Sequence, residues 1–215
     1  MSDTYILHGA IRSSAAWRVR IVLHLKDIAF REYFLDLHKA EQQAAEYRKL
    51  NPQMLVPALI APDGAIVTQS MAIIEYLDEA TPGAHVLPRD AAGRARVRSL
   101  SQMIACDIHP INNLRVRNHV RDLLPEEPGA QAAWMDKWLT AGLDAFEARL
   151  ARDGDTGTFC HGDAPTMADA CLVPQLNNAR IAGRDLTQWP HIVRIAAACD
   201  ELPAFANTGP DSLRG

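Results

Sequence analysis

Short strand-like runs are confined to the first 80 residues of this chain, and from Ala91 onward none stands out. That change of pattern constrains the fold more than any other feature. It asks for an α/β domain followed by an all-helical one. In the first part, residues 4–8 are a β-prone run. Residues 14–26 put Trp17, Ile21, Val22 and Leu25 on a helical stripe with arginines on the other face, and 30–35 read as a second strand. Residues 38–49 read as a polar amphipathic helix. Two short runs, 56–60 and 65–68, flank Asp63-Gly64 and suggest a hairpin. Residues 69–80 complete a βαβαββα order. Thr81-Pro82-Gly83 breaks that last helix. The expected domains are therefore 1–81 and 88–215, with 82–87 as linker. Beyond it, helical patterns cover 91–122 (with Pro110 as the expected kink), 130–151, 166–181 and 190–202.

Charge narrows the function. Lys+Arg against Asp+Glu is 8 to 10 in residues 1–80 and 14 to 16 in the rest, so neither part is basic. Nucleic acid and membrane surfaces are poor partners for such a chain. No apolar run approaches the ~20 residues of a membrane span, and Met-Ser-Asp-Thr does not read as a signal peptide. The four cysteines, Cys106, Cys160, Cys171 and Cys199, form no C-x-x-C pair. They read as free thiols or small buried hydrophobes in a reducing cytoplasm, with no metal site.

Four stretches carry candidate chemistry. In Arg12-Ser13-Ser14-Ala15 a loop gives way to a helix, whose first N–H groups and partial positive charge suit an anion such as a thiolate. Read alone, either serine is a plain N-cap or a donor to that anion. Val56-Pro57 is a candidate cis peptide before a strand, turning the Val56 backbone toward an extended peptide, or an ordinary trans strand start. Thr68-Gln69-Ser70 opens another helix and offers a carboxylate site, or again a cap. His109, Asn112, Asn113 and Arg115 fall in one helical stretch that could line a polar cleft. Thr166-Met167-Ala168-Asp169 is a capping pattern, taken as structural.

Taken in order, these stretches resemble the glutathione-transferase family, thioredoxin-like at the N-terminus and helical after it. More narrowly, "RSSAAWRVRIVLHLK", "LNPQMLVPALI", "TQSMAIIEYLDE", "DIHPINNLRV" and "TMADACLVPQ" resemble the zeta class, which includes maleylacetoacetate isomerase. "DIHPINN" is also similar to glutathione-dependent maleylpyruvate isomerases. The resemblance implies a glutathione site. The glutamyl end would meet Gln69 and Ser70, and the cysteinyl backbone would pair with Val56 beside Pro57. The sulfur would face Ser13 and the helix start with Ser14 and Ala15, and Gln42 or Gln43 would reach the glycyl end. His109, Asn113 and Arg115 would line the cleft from the helical domain. It implies a homodimer and a small dicarboxylate-like substrate, with Arg12 and Arg180 as its cations. Within the serine pair, the sulfur contact falls to Ser13 and the helix cap to Ser14.

Two residues depart from the family pattern. Ala15 stands where the family has cysteine, which removes reductive dehalogenation through a mixed disulfide from the expected activities. Ile181 stands where the family has a substrate-carboxylate arginine. Arg180 comes one place early, a ~100° turn away on a helix. The expected activity is cis–trans isomerisation of a maleyl-keto acid. A broader conjugating transferase and a weakly catalytic glutathione-binding protein are the alternatives.

Overall fold

In the computed structural model, which describes residues 4–214, the β-prone run at the start becomes β1 (Tyr5–Gly9), a central strand. β2 (Phe30–Phe34) runs parallel to it, from Tyr5 opposite Phe30 to Gly9 opposite Phe34. Parallel neighbours need a crossover, and α1 (Ser14–Leu25) supplies it. β3 (Ala58–Ile60) and β4 (Ile66–Thr68) are the expected hairpin. β3 lies antiparallel to β1 with Leu59 opposite Leu7, and the sheet order is β2-β1-β3-β4. α2 (Ala45–Leu50) precedes the hairpin and α3 (Ser70–Ala80) follows it. Leu7, Val19, Val22, Leu59, Ile73, Ile74 and Leu77 are wholly buried and form the core of this sheet-and-helix unit.

Two local expectations give way. Residues 38–49 are not one helix. Asp36 caps a tight turn at Leu37–Lys39, Ala40 is left-handed with φ 56°, and a second turn, Glu41–Gln43, precedes an extended Ala44. The arginines of α1 do not face solvent either. Arg18 and Arg20 are each 1% exposed. Arg20 forks onto Glu32 at 2.6 and 2.7 Å and donates to the Thr208 carbonyl at 2.8 Å, so its charge is paired inside.

The linker 82–87 is pinned rather than slack. Asp78 Oδ1 accepts from the Val86 N–H at 2.7 Å, and Lys26 Nζ donates to the Ala84 carbonyl at 2.8 Å. The first compact unit ends at Leu87, but it also takes in Asp200–Gly215, residues expected to belong with the helical domain. The reason is Thr208, which binds both Trp17 and Arg20. α9 (Pro203–Ala206) lies in this returning segment.

The second unit, Pro88–Cys199, is helical. The expected helix over 91–122 divides into α4 (Ala91–Gln102), a π-helical stretch (Met103–Ile108) and α5 (Leu114–Leu123). Ile108 packs where a Cβ on Gly142 would otherwise stand. α6 (Ala130–Arg152) and α7 (Met167–Ile181) follow, the latter opened by the expected capping box between Thr166 and Asp169. Glu147 of α6 accepts from the His191 and Ile192 N–H groups, both at 3.0 Å, and so caps α8 (Pro190–Asp200). Among the described residues no helix is long and apolar enough to cross a membrane.

Candidate active site

Three chain segments of the first unit carry the predicted ligand-facing residues. The first is the start of α1. Ser13, not Ser14, is its N-cap: Ser13 has extended backbone and its Oγ accepts from the Ala16 N–H at 3.2 Å, while Ser14 is the buried first residue of the helix. The division of roles expected for the pair is thus corrected. The Ser13 oxygen is engaged from within the helix, and its single hydrogen remains available to an anion outside. Arg12 is exposed in the turn just before, and Ala15 is half-buried behind.

The second segment is the loop into β3. The Val56-Pro57 peptide bond is cis, as one of the two sequence readings had it. The β3 ladder begins at Ala58, so Val56 lies ahead of the sheet pairing. Two side chains hold the approach. The Leu55 carbonyl accepts from the Tyr47 hydroxyl and from Asn51 Nδ2, both at 2.7 Å, and Asn51 Oδ1 closes an Asx turn onto the Gln53 N–H at 3.0 Å. Burial pushes the Tyr47 hydroxyl up to about 12, so it stays a donor throughout ordinary pH.

The third segment is the start of α3. Gln69 has φ 71° and ψ 118°, a conformation that a side chain with a Cβ seldom adopts. Its Nε2 donates to Gln53 Oε1 at 2.7 Å, tying this corner to the Val56 loop. Ser70 follows as the first helical residue, 6% exposed, and its Oγ accepts from Arg18 Nη1 at 3.4 Å.

Gln42 lies in the tight turn at Glu41–Gln43; its Oε1 is buried and has no hydrogen-bond partner among the described residues. The donor set therefore suits an extended, peptide-like anion: two helix starts with a hydroxyl each, and an orphaned amide acceptor for an N–H. No cysteine lies in 1–87 or 200–215, so this unit brings no thiol of its own to the site. Among the described residues the four cysteines form no disulfide. Burial, with Asp169 beside it, pushes Cys160 well above the usual thiol range.

The remaining predicted residues belong to the second unit. Asn113 is the N-cap of α5, its Oδ1 accepting from the Val116 N–H at 3.2 Å, so half of its amide is spent on structure. His109 ends the π-helical stretch, its N–H bonded to the Ile104 carbonyl at 2.8 Å. Arg115 is exposed on the first turn of α5. Near the end of α7 both Arg180 and Ile181 are exposed, Ile181 by 65%. Sequence reasoning missed Arg18, Tyr47, Asn51 and Gln53. Asn51-Pro52 carried a turn signal, but nothing local marked the others.

Comparison with known proteins gives the family and agrees with the fold. Residues 12–80 match the family model for the glutathione S-transferase N-terminal domain, and 128–206 that for the C-terminal domain. A maleylacetoacetate isomerase of Rhizobium meliloti is 45% identical over the whole of both chains. A crystal structure of maleylacetoacetate isomerase from Methylobacterium extorquens AM1 with bound malonate and glutathione superimposes with TM-score 0.93. It is 39% identical, with 96% of this chain and 97% of that one covered. The holo structure of a bacterial maleylpyruvate isomerase in the zeta class gives TM-score 0.92 at 42% identity, covering 96% and 97%.

Proposed function

The chain belongs to the zeta class of the glutathione S-transferase family and is a glutathione-dependent isomerase, and we propose that it acts on the double bond of a maleyl-keto acid, in the manner of maleylacetoacetate to fumarylacetoacetate. The observation that carries this reading is the full-length likeness to isomerases, with Ser13, Val56-Pro57 and Gln69-Ser70 on one unit that holds no cysteine. It fits a role in the breakdown of aromatic amino acids or other aromatic compounds.

When bound, glutathione supplies a thiolate that adds reversibly to the activated alkene, so that the former double bond can rotate. The protein's part is to hold that charge. A free thiol has a pKa near 8.5, and each unit of lowering takes about 1.4 kcal/mol of thiolate stabilisation. The Ser13 hydroxyl and the first N–H groups of α1 are the donors for it. Gln69, Ser70 and the start of α3 take the glutamyl end, and the Val56 backbone takes the cysteinyl peptide. Gln42 serves the glycyl end. Arg12, exposed beside Ser13 in the chain, is the cation of this turn for charge that shifts onto the substrate's carbonyl or carboxylate. Arg115 and Arg180 are the exposed cations that the second unit offers a dicarboxylate-like substrate, with His109 and Asn113 in the same segment as Arg115.

Exposed Ile181, at the place of the family's arginine, favours a second reading, an isomerase of maleylpyruvate or a transferase of broader scope. One assay separates them. Maleylacetoacetate and maleylpyruvate are each incubated with enzyme and glutathione, with S-methylglutathione, and with no thiol. The expected result is a trans product from the first substrate, with glutathione only and recovered intact. Faster turnover of maleylpyruvate selects the sister activity. Accumulation of a stable conjugate selects the transferase, and turnover without a thiol refutes the mechanism. We also propose a cytoplasmic homodimer on the family's example. Sedimentation should then give twice the 23.7 kDa chain mass, and a single-chain mass at micromolar concentration would contradict it.

A further inference from the structure

We infer that Arg18 is a positioning residue for the glutamyl carboxylate of glutathione, acting through Ser70; this rests on the placement of that carboxylate at the start of α3. Arg18 lies five residues past Ser13 on the same helix, is 1% exposed, and its Nη1 reaches Ser70 Oγ at 3.4 Å. A guanidinium is charged at every working pH and only donates. With Arg18 on the oxygen of Ser70, the one hydroxyl hydrogen is directed away from the guanidinium and is left for the carboxylate placed at the start of α3.

Ser13 is wired alike. Its oxygen takes the Ala16 N–H at 3.2 Å, and its hydrogen is left for the sulfur. In both cases the acceptor side of the hydroxyl is filled from α1 and the donor side is left to an anion. One helix thereby sets two anion contacts, one at each end of the ligand's γ-glutamyl-cysteinyl portion. A neutral residue at 18 would leave Ser70 free to turn its hydrogen inward.

The test is a calorimetric double-mutant cycle on glutathione affinity with the whole chain, using Arg18→Gln, Ser70→Ala and both together. Each single change should raise Kd about tenfold, as for loss of a charge-assisted contact. The double variant should be no weaker than Ser70→Ala alone. Glutathione lacking its glutamyl α-carboxylate (γ-aminobutyryl-cysteinyl-glycine) should bind wild type and Arg18→Gln equally. Turnover at saturating glutathione should be unchanged in Arg18→Gln while KM for glutathione rises, which a general loss of structure would not produce. Should Arg18→Gln fail to fold, Arg18→Lys carries the cycle. It keeps the charge but falls short of Ser70, with an expected rise of about threefold that vanishes beside Ser70→Ala. If Ser70→Ala leaves Kd unchanged, the placement of the carboxylate is wrong. If Ser70→Ala weakens binding but the Arg18 changes do not, or the two effects multiply, the placement stands and the role of Arg18 is overturned.

Discussion

A hydroxyl has one hydrogen to give, and at Ser13 the capping contact does not use it. Ser13 can therefore hold the helix start and a thiolate at the same time, which Ser14, inside the first turn, is not placed to do. Removing the hydroxyl should cost twice. Ser13→Ala should lower stability by about 1 kcal/mol through loss of the cap. It should also raise the pKa of bound glutathione and slow isomerisation by ~10²-fold, the scale of one lost oxyanion-type donor. Ser13→Thr, with the hydroxyl kept, should restore most of both. Ser14→Ala should leave the thiol pKa where it is. Ultraviolet titration of the bound thiolate, read beside turnover, separates these. A low pKa in Ser13→Ala would transfer the charge-holding role to the backbone N–H groups alone.

At the scale of elements, the loop from α2 into β3 is fixed by a phenol. Tyr47 is 4% exposed, and its hydroxyl shares the Leu55 carbonyl with Asn51. Burial moves its pKa from 10.0 to about 12, so the folded state holds the phenol proton more tightly than the unfolded chain does. The contribution of Tyr47 to stability is therefore fully present below pH 10 and is lost as pH climbs from 10 through 12. In urea unfolding across that range, the stability difference between wild type and Tyr47→Phe should be level up to pH 10 and shrink above it. A difference that stays level to pH 12 would mean that the phenol is not desolvated. Such features mark the limit of what the sequence could tell. The strands, the Asp63-Gly64 hairpin and the Thr166–Asp169 box rest on residues close in the chain and were legible, while the cis Val56-Pro57 was one of two readings that the local sequence left open. The helix expected over 38–49 failed because periodicity cannot report that Ala40 turns left-handed and Ala44 extends. Arg18 and Arg20 looked like surface charges because what buries them is tertiary: Ser70 lies 52 residues from Arg18, and Arg20 meets Glu32 on β2, 12 residues on, and Thr208, 188 residues on.

At the scale of the whole molecule, the ligand-facing unit is built from both ends of the chain. Trp17 donates its indole N–H to Thr208 Oγ1 at 3.0 Å, Arg20 donates to the Thr208 carbonyl at 2.8 Å, and Gly209 leaves no room for a Cβ against the Trp17 ring. These contacts fall on α1, the helix whose first turn carries Ser13. A chain ending at Cys199 would bare Trp17 to water and lose both hydrogen bonds to Thr208, at about 0.5–1.5 kcal/mol each. It would also lose the burial of Phe205, worth ~2 kcal/mol more. Against a total stability of about 5–15 kcal/mol, that loss is large, so the shortened chain should unfold at a much lower urea concentration or fail to accumulate as folded protein. Thr208→Val, which keeps the segment and removes only the hydroxyl, should cost about 1–2 kcal/mol. The bound thiol pKa of Thr208→Val should stay near wild type if the segment only stabilises α1, and should rise if it also sets the position of Ser13. A shortened chain that unfolds at the wild-type midpoint would show that α1 needs nothing from the far end of the sequence.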